Sequence, residues 1–263
     1  MDLVWLKAPQ WEGRDGFIHG FLGRRGGKSL GVYASLNLSF RVGDDPQLVK
    51  HNLCDVKRVI GLHDLRIVTM RQTHGDHIID VKDKNLKEAG EADGMVTKER
   101  GLFLGVLTAD CLPIFFSVLS RRVTAVVHTG WRGSLAGLAL KMVKHLKDRY
   151  DVNPSSLEVT LGPTIGPCCY EIRTDVSAPL LARWGSLTEK CLQARDDKKF
   201  LALRKLNTLI LQQAGVPPAQ IFRVGPCTAC APDAFYSYRR DRYAAAQEGK
   251  EDTGRQLSFA GWL

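Results

Sequence analysis

The sequence predicts a mixed α/β (α+β) fold, a single-domain sandwich with a mixed sheet over residues 1–263. Three observations predict it. Short apolar runs of strand length lie in the centre of the chain, a segment with helical period follows them, and no linker or internal repeat divides the chain. Because the later strands and helices alternate irregularly, a mixed sheet is favoured over a regular doubly wound one.

The central strands are the clearest elements of the pattern. Residues 102–108 and 112–118 are apolar runs on either side of a turn, and residues 123–128 form a third run. Residues 134–150 then switch to helical period, with lysines on the opposite face from the apolar side chains. The apolar face of this predicted helix comprises Leu135, Leu138, Ala139, Met142, Val143 and Leu146.

The second half of the chain shows shorter elements, and Gly215 is placed to terminate the helix before it as a C′ residue. The predicted elements are strands at residues 157–161, 221–224 and 256–262 and a helix at residues 200–214. Residues 82–93 are predicted to form an exposed loop, and residues 186–199 are a polar stretch ahead of a helix. Neither polar stretch has the composition of a domain boundary.

Charge and composition narrow the classes of partner. The chain has 37 Lys plus Arg against 28 Asp plus Glu, a formal net charge of +9. Such a charge attracts phosphate and nucleotides as readily as nucleic acid. The basic residues are spread along the chain and are not clustered among aromatic residues, so we expect no nucleic-acid partner.

Cysteine usage and hydropathy indicate the compartment. Seven cysteines without the spacing of a small disulfide scaffold indicate reduced thiols. The first residues show no signal-peptide pattern. The longest apolar stretch, residues 102–118, is interrupted by Thr108, Asp110 and Pro113 and cannot span a membrane. We therefore expect a cytoplasmic protein with no membrane partner, as a monomer or small homo-oligomer.

A candidate metal site comes from three separate segments. His74, Cys111 and His128 each lie where a strand-like run gives way to a turn, where functional groups on a sheet usually emerge. Two histidines and one cysteine fit the three-ligand pattern of catalytic zinc, which leaves one position open. The spacing alone is also consistent with three unrelated core residues, or with Cys111 as a thiol nucleophile and a histidine as its general base. His77 ranks lower as a ligand because positions i and i+3 diverge on a strand or turn.

Four other cysteines are predicted not to bind a metal ion. Cys227 and Cys230 form a CxxC motif, and Cys168 and Cys169 would have to supply the other half of a four-ligand site. Adjacent cysteines do not easily reach one tetrahedral metal, so the sequence favours thiols without a metal.

Two basic turns are candidate anion-binding segments. Residues 23–29 lack the Gly-x4-Gly-Lys-Ser/Thr spacing of a P-loop, so that ATPase motif is rejected. Arg24, Arg25 and Lys28 among the glycines still predict an anion cradle. Residues 128–133 predict a second one, because they lead into the N-terminus of the predicted helix at 134–150.

A set of motifs in order along residues 17–263 resembles the YfiH-like laccase-domain family, long labelled polyphenol oxidase and now regarded as purine nucleoside phosphorylases. The sequence departs from the family pattern beside the site, at Gly23, Lys28 and Thr73. The matching segments are residues 24–29, 35–38, 42–46, 72–75, 92–94, 108–113, 128–133, 161–171, 227–228, 235–241 and 253–256.

The resemblance implies a fold similar to the catalytic domain of cytotoxic necrotizing factor. It implies that His74, Cys111 and His128 bind zinc, and that Arg24 and Asn37 face the active site. It also implies that the partners are purine nucleosides and phosphate: phosphorolysis of adenosine, inosine, guanosine and methylthioadenosine, together with deamination of adenosine.

These activities give the site residues provisional roles. Zinc lowers the pKa of bound water to about 7, so that hydroxide is available to attack C6 of adenine. In phosphorolysis, zinc and Arg24 would hold the phosphate that attacks C1′ of the ribose. Asp110 would shuttle the proton or orient a ligand from outside the coordination sphere.

Three alternatives stay open beside this interpretation. A laccase-like polyphenol oxidase would use Cu²⁺, but seven histidines without a His-x-His pair argue against several copper ions. A Cys-His amidase that edits peptidoglycan precursors would use Cys111 as thiolate and His128 as base. A non-enzymatic nucleic-acid module would bind DNA or RNA in a salt-dependent way.

Overall fold

The fold is described from a computed structural model, which covers residues 2–62, 66–247 and 252–263. Its strands are β1 (Trp5–Leu6), β2 (Phe17–Leu22), β3 (Arg66–Arg71), β4 (Ile78–Asp80), β5 (Glu88–Glu91), β6 (Gly94–Thr97), β7 (Leu102–Thr108), β8 (Leu112–Val118), β9 (Val123–Thr129), β10 (Glu158–Leu161), β11 (Glu171–Ile172), β12 (Leu192–Arg195), β13 (Lys198–Leu201), β14 (Ile221–Arg223) and β15 (Gln256–Trp262). Its α-helices are α1 (Pro46–Val59), α2 (Trp131–Ala136), α3 (Leu138–Tyr150), α4 (Thr174–Trp184), α5 (Ser186–Glu189), α6 (Leu203–Gln213) and α7 (Tyr238–Gln247).

Two six-stranded sheets of mixed direction dominate the fold. The first has the order β1-β2-β15-β7-β3-β5, with β3 parallel to both of its neighbours. The second has the order β14-β10-β8-β9-β6-β4, with parallel pairs at its two edges. A small antiparallel sheet, β11-β13-β12, lies apart from both. The predicted mixed α/β fold is therefore confirmed, whereas its likeness to cytotoxic necrotizing factor and its single-domain organisation stay predictions.

The two large sheets pack face to face and each carries helices on its outer side. Alternate residues of β8 show this arrangement: Ile114 and Phe116 pack with α3 and α6, whereas Phe115 packs with the first sheet. On the other side, α1 covers the outer face of the first sheet through Val56. Since the central strands are buried on both faces, they appear in the sequence as continuous apolar runs.

The central strand predictions are confirmed. The predicted strands 102–108, 112–118 and 256–262 match β7, β8 and β15, while β9 runs one residue beyond 128 and β10 begins at 158 instead of 157. The predicted strand 221–224 corresponds to β14, which ends at Arg223. Gly215 has a φ of +93°, as expected of a residue that terminates α6.

Three predicted segments differ from the structure. The helix predicted at 134–150 begins earlier, at Trp131, and is divided into α2 and α3 by Gly137, whose φ of +74° interrupts helical geometry. Residues 198–201 form a strand, so α6 starts only at Leu203. The polar residues 82–93 are not all loop, because Glu88–Glu91 pairs with β3.

None of the helices in the described ranges has both the length and the apolar character needed to cross a membrane.

The contact between the two sheets generates a stability prediction. The Phe21 and Phe115 rings stack across the interface with centroids 4.5 Å apart, and both side chains are fully buried. We expect Phe115→Ala to lower the free energy of unfolding by about 3–5 kcal/mol, because it leaves a cavity between the sheets. Urea denaturation measures the loss. Phe40→Ala is the matched control, since Phe40 is 56% exposed and its loss should stay within about 0.5 kcal/mol. Equal losses in the two variants would contradict this packing.

Candidate metal centre

The structure brings together His74, Cys111 and His128. Their ligand atoms all lie within 4.8 Å of one another. The two imidazole rings are nearly perpendicular, with an angle of 81° and centroids 4.9 Å apart. His74 is exposed, Cys111 is partly buried and His128 is buried. The predicted ligand set is therefore assembled at one point, with one side toward solvent.

The strand topology explains this convergence. Cys111 lies in the turn that takes the chain from β7 in the first sheet to β8 in the second, and Asp110 in that turn has a φ of +88°. His128 lies on β9 and pairs with Pro113 of β8. Close approach also requires a glycine: a Cβ atom at Gly130 would lie 2.9 Å from Cys111 Sγ and 3.7 Å from His74 Cδ2.

A buried carboxylate, Asp93, organises two of the three candidate ligands. One carboxylate oxygen lies 2.8 Å from Nδ1 of His128. The same side chain accepts backbone N–H groups of Thr73, His74 and Gly75 at 2.7–3.1 Å, and the Thr73 hydroxyl at 3.0 Å. These bonds hold the turn in which His74 has a φ of +60°. With Nδ1 directed at Asp93, the Nε2 atom of His128 is left to face Cys111.

Sequence reasoning missed this role. Asp93 belongs to the polar stretch 82–93, for which the sequence predicts an exposed loop, yet its side chain is completely buried. The signal that was present is its position in an Ala-Asp-Gly motif directly before a buried strand, β6. A carboxylate buried there requires hydrogen-bond donors, and the His74 turn and His128 supply them.

The charges at the centre favour a deprotonated thiol. Burial acts to raise the pKa of Cys111, but the neighbouring His128 and His74 outweigh it and lower that pKa to about 6. Burial acts to lower the pKa of His128, but Cys111 and Asp93 raise it to about 9. The pKa of Asp93 is lowered overall, because hydrogen bonds from His128 and the His74 turn exceed the effect of burial. At neutral pH the metal-free centre is therefore a thiolate beside an imidazolium, and a metal ion bound by Cys111 and His128 would displace the proton of the His128 ring.

The candidate ligands open into a cavity of about 780 Å³. This volume lies in the range of small-molecule sites. Guanidinium groups and aromatic rings share its wall, which suits a ligand with both an anionic and an aromatic part. The basic and aromatic residues of the wall are Arg41, Arg132, Arg239, Arg242, Arg255, Trp131, Tyr170 and Tyr238.

Asp110 also lies in the cavity wall, but its carboxylate is occupied. It accepts hydrogen bonds from Thr228 Oγ1 at 2.6 Å, from the Arg239 backbone N–H at 2.7 Å and from Ser237 Oγ at 2.9 Å. Burial raises its pKa in spite of these bonds. The structure therefore shows Asp110 as an anchor for the segments that carry Thr228 and Arg239.

Arg24 and Asn37 are not among the residues that line this cavity, and the expectation that they face the active site stays a prediction. The Arg24 guanidinium donates to the Ala34 carbonyl at 2.7 and 2.9 Å and stacks on Tyr236. Asn37 is buried and accepts the backbone N–H groups of Ser39 and Arg255. Because Ser39 and Arg255 line the cavity, Asn37 acts on the site only through them.

In the predicted anion cradle at residues 23–29, two groups make contacts within the protein, and anion binding there stays a prediction. The Arg25 guanidinium donates to the Asp233 carbonyl, and the Lys28 backbone N–H donates to Asn52. His77 is not part of the metal cluster; it contributes a backbone carbonyl that accepts the N–H groups of Asp93 and Gly94.

The interpretation of the other cysteines was wrong on geometry. The sulfur atoms of Cys168, Cys169, Cys227 and Cys230 all lie within 4.8 Å of one another. The adjacent pair converges because a tight turn, in which the Cys169 and Tyr170 N–H groups both donate to the Gly166 carbonyl, brings both sulfurs to one side.

The chain is similar to known proteins over nearly its whole length. A family model described as multi-copper polyphenol oxidoreductase laccase matches residues 18–262. The purine nucleoside phosphorylase YlmD of Geobacillus stearothermophilus is 33% identical over 270 aligned residues, covering 98% of this chain and 94% of that protein. The purine nucleoside phosphorylase YfiH of Escherichia coli is 33% identical, with 98% of each chain covered. The crystal structure of YlmD from Geobacillus stearothermophilus has a TM-score of 0.89 at 33% identity, covering 98% of this chain and 96% of that one.

The role of Asp93 generates a prediction about metal affinity. Asp93→Asn replaces a carboxylate that takes part in five hydrogen bonds with an amide, and so weakens the hold on both the His128 ring and the His74 turn. We expect zinc affinity to fall about 10- to 100-fold, as measured by competition with a chromophoric chelator. Asp76→Asn is the matched control, because Asp76 lies in the same segment but forms an ion pair with Lys141 and borders a different surface hollow. The same affinity in both variants would show that Asp93 does not organise the ligands.

Proposed function

This chain belongs to the YfiH-like laccase-domain family, whose model is described as multi-copper polyphenol oxidoreductase laccase, and we propose that it is a zinc-dependent purine nucleoside phosphorylase. The observation that carries the proposal is the convergence of His74, Cys111 and His128 at the wall of a cavity lined by arginines and aromatic rings. Homologues at 33% identity over nearly the whole chain are named purine nucleoside phosphorylases, which supports the same reaction class here.

The donor set fits zinc. Two imidazoles and one thiolate make the three protein ligands of a catalytic site, and the exposed side of His74 leaves a fourth position toward the cavity. Asp93 supports the fit, since a carboxylate on the far nitrogen of a histidine is a common support of zinc ligands. A zinc ion held here would supply Lewis acidity, which lowers the pKa of water from about 15.7 to about 7.

Phosphate recognition is assigned to the cavity arginines, with Arg132 first among them. Gly130, two residues before it, is in contact range of Cys111 and His74. The Arg132 guanidinium stacks on Trp131 at 4.4 Å and has no hydrogen bond or ion pair with the residues that the structure describes. A cation without a partner beside the metal ligands is available to bind an anion.

Other residues of the wall receive binding and positioning roles. Arg239 lies over the Tyr170 ring, with 5.3 Å between its guanidinium carbon and the ring centroid, and Asp110 accepts its backbone N–H. We assign Asp110 to positioning Arg239, because its three hydrogen bonds leave it poorly placed to move a proton. The exposed ring of Tyr238 offers a face on which a purine can stack.

The proposed phosphorolysis breaks one bond and forms one. A phosphate oxygen attacks C1′ of the ribose, the bond from C1′ to the purine nitrogen breaks, and the purine leaves with the electron pair and takes up a proton. The arginines hold the phosphate and offset its charge as it approaches. Adenosine, inosine, guanosine and methylthioadenosine are the proposed substrates. Adenosine deamination is proposed as a second activity that requires water in place of phosphate.

A second candidate function rests on one specific observation. Cys111, His128 and Asp93 form the series of thiol, imidazole and orienting carboxylate that thiol hydrolases use, and the pKa of Cys111 is lowered. An amidase acting on peptidoglycan precursors would use these groups without a metal. Copper at the same three ligands is the alternative for the metal itself. The cytoplasmic location, the oligomeric state and the absence of nucleic-acid partners stay predictions.

The first test of the function follows the metal and the products together. Cys111→Ala should lose about one zinc ion per chain, together with phosphorolysis and deamination. Cys54→Ala, at an exposed site on α1, should keep its zinc and both activities. With adenosine, the parent protein should form adenine and ribose 1-phosphate only when phosphate is present, and inosine and ammonia without it. Amide cleavage by metal-free protein, without nucleoside turnover by the zinc form, would favour the thiol hydrolase.

A second test separates the two phosphate assignments. Arg132→Ala should raise the KM for phosphate about 10- to 100-fold, since a charge-assisted hydrogen bond contributes about 1.5–3 kcal/mol. Arg24→Ala removes the same charge outside the cavity and should leave that KM within about three-fold of the parent value, because it makes no contact with phosphate. Steady-state phosphorolysis at varied phosphate concentration measures both variants. A large rise in the KM for phosphate in Arg24→Ala, with little change in Arg132→Ala, would show that Arg24 binds the phosphate.

A further inference from the structure

We propose that Cys168, Cys169, Cys227 and Cys230 bind a second zinc ion, which is structural and ties two loops of the chain together. The four residues belong to the segment between β10 and β11 and the segment between β14 and α7. They are separate from the His74, Cys111 and His128 cluster, and they are the other group of potential metal ligands within the described ranges.

The sulfur geometry fits a tetrahedral site. A Zn–S distance of about 2.3 Å places the four sulfurs of a tetrahedron about 3.8 Å apart. The four sulfurs here lie within 4.8 Å of one another, and Cys230 Sγ lies 3.4 Å from Cys168 Sγ and 3.3 Å from Cys169 Sγ. One sulfur almost equidistant from two others fits a shared central ion better than a single disulfide, which would join one pair and leave the rest unpaired.

The backbone around the cysteines supports a bound thiolate. The Gly166 N–H donates to Cys227 Sγ at 3.1 Å, a bond of the kind that supports metal-bound sulfur. Space there is tight, because a Cβ atom at Gly166 would lie 3.2 Å from both Cys168 Sγ and Cys227 Cβ. The Arg195 guanidinium donates to the carbonyls of Pro167 and Cys168, which places a cation beside a site that would carry net negative charge.

Access and ligand chemistry also fit zinc. Cys168 and Cys230 are exposed and the other two are partly buried, so an ion can enter from solvent. Four thiolates form a closed coordination sphere, which is typical of structural zinc and leaves no position for a substrate. None of the four is in a disulfide in the structure, so each can lose its proton and bind a metal ion as thiolate.

The two loops that such an ion would join also hold the cavity wall. Thr164 Oγ1 and the Ile165 N–H donate to the Asp110 carbonyl, and Thr228 Oγ1 donates to the Asp110 carboxylate. Cys227 precedes Thr228 directly and forms a β-bridge with Thr164. The second zinc ion would therefore fix both loops against the residue next to the catalytic-site ligand Cys111.

The test counts zinc and identifies its ligands in the full-length protein. Elemental analysis should find about two zinc ions per chain in the parent, about one in Cys111→Ala and about one in Cys230→Ser. Cys54→Ser, at the exposed α1 site, should keep both. X-ray absorption of Cys111→Ala, which leaves all four cysteines intact, should show four sulfur ligands at about 2.3 Å.

Two outcomes would overturn the second site. Cys111→Ala that retains no zinc, or retains zinc with nitrogen or oxygen ligands, would show that the four cysteines do not bind it. A parent protein whose mass under non-reducing conditions is lower by the two hydrogens of a disulfide within this group would identify a redox pair instead. The Cys111→Ala measurement does not require Cys230→Ser to fold, and it is independent of whether the protein turns over nucleosides.

Discussion

The buried carboxylate of Asp93 is the interaction on which the candidate site depends. An ion with no exposed surface is stable only when donors surround it, and here the donors are the His128 ring and the N–H groups of the His74 turn. Satisfying one charge therefore fixes the position of two candidate metal ligands at once. The Asp93 backbone contributes too, because its carbonyl accepts the His128 N–H at 2.8 Å. The same residue thus joins β9 to the loop after β3.

The third ligand depends on the way the two sheets are connected. The chain leaves the first sheet at Thr108 and enters the second at Leu112, so the short turn between them lies where β7 ends and β8 begins. Cys111 is in that turn, and Asp110 beside it accepts hydrogen bonds from two later segments of the chain, through Thr164 and through Thr228 and Ser237. Segments distant in sequence therefore converge on adjacent residues. We infer that these polar contacts help the cavity wall to keep its shape.

The parts predicted correctly from sequence share a local physical cause. Strands β7 and β8 are buried on both faces, so their sequences are apolar throughout, and the ligands stand where such runs end. The features that the sequence does not predict depend on contacts with residues distant in the chain. The strand at Glu88–Glu91 forms because β3 offers an edge to pair with, and Gly137 divides a helix whose pattern continues across it. The spacing of residues does not show the turn that brings Cys168 and Cys169 to one side. It also does not show that the Ala34 carbonyl accepts hydrogen bonds from Arg24.

The central claim is that Asp93 holds His74 and His128 so that, with Cys111, they bind one zinc ion facing the arginine-lined cavity. Anomalous diffraction from crystals of the full-length protein, recorded above and below the zinc absorption edge, tests it most directly. We expect a zinc peak at about 2.0–2.3 Å from Cys111 Sγ, His128 Nε2 and a ring nitrogen of His74, with the hydrogen bond from His128 to Asp93 intact. Stoichiometric zinc with no anomalous peak at these three residues, or a peak bonded to His128 through Nδ1, would contradict it.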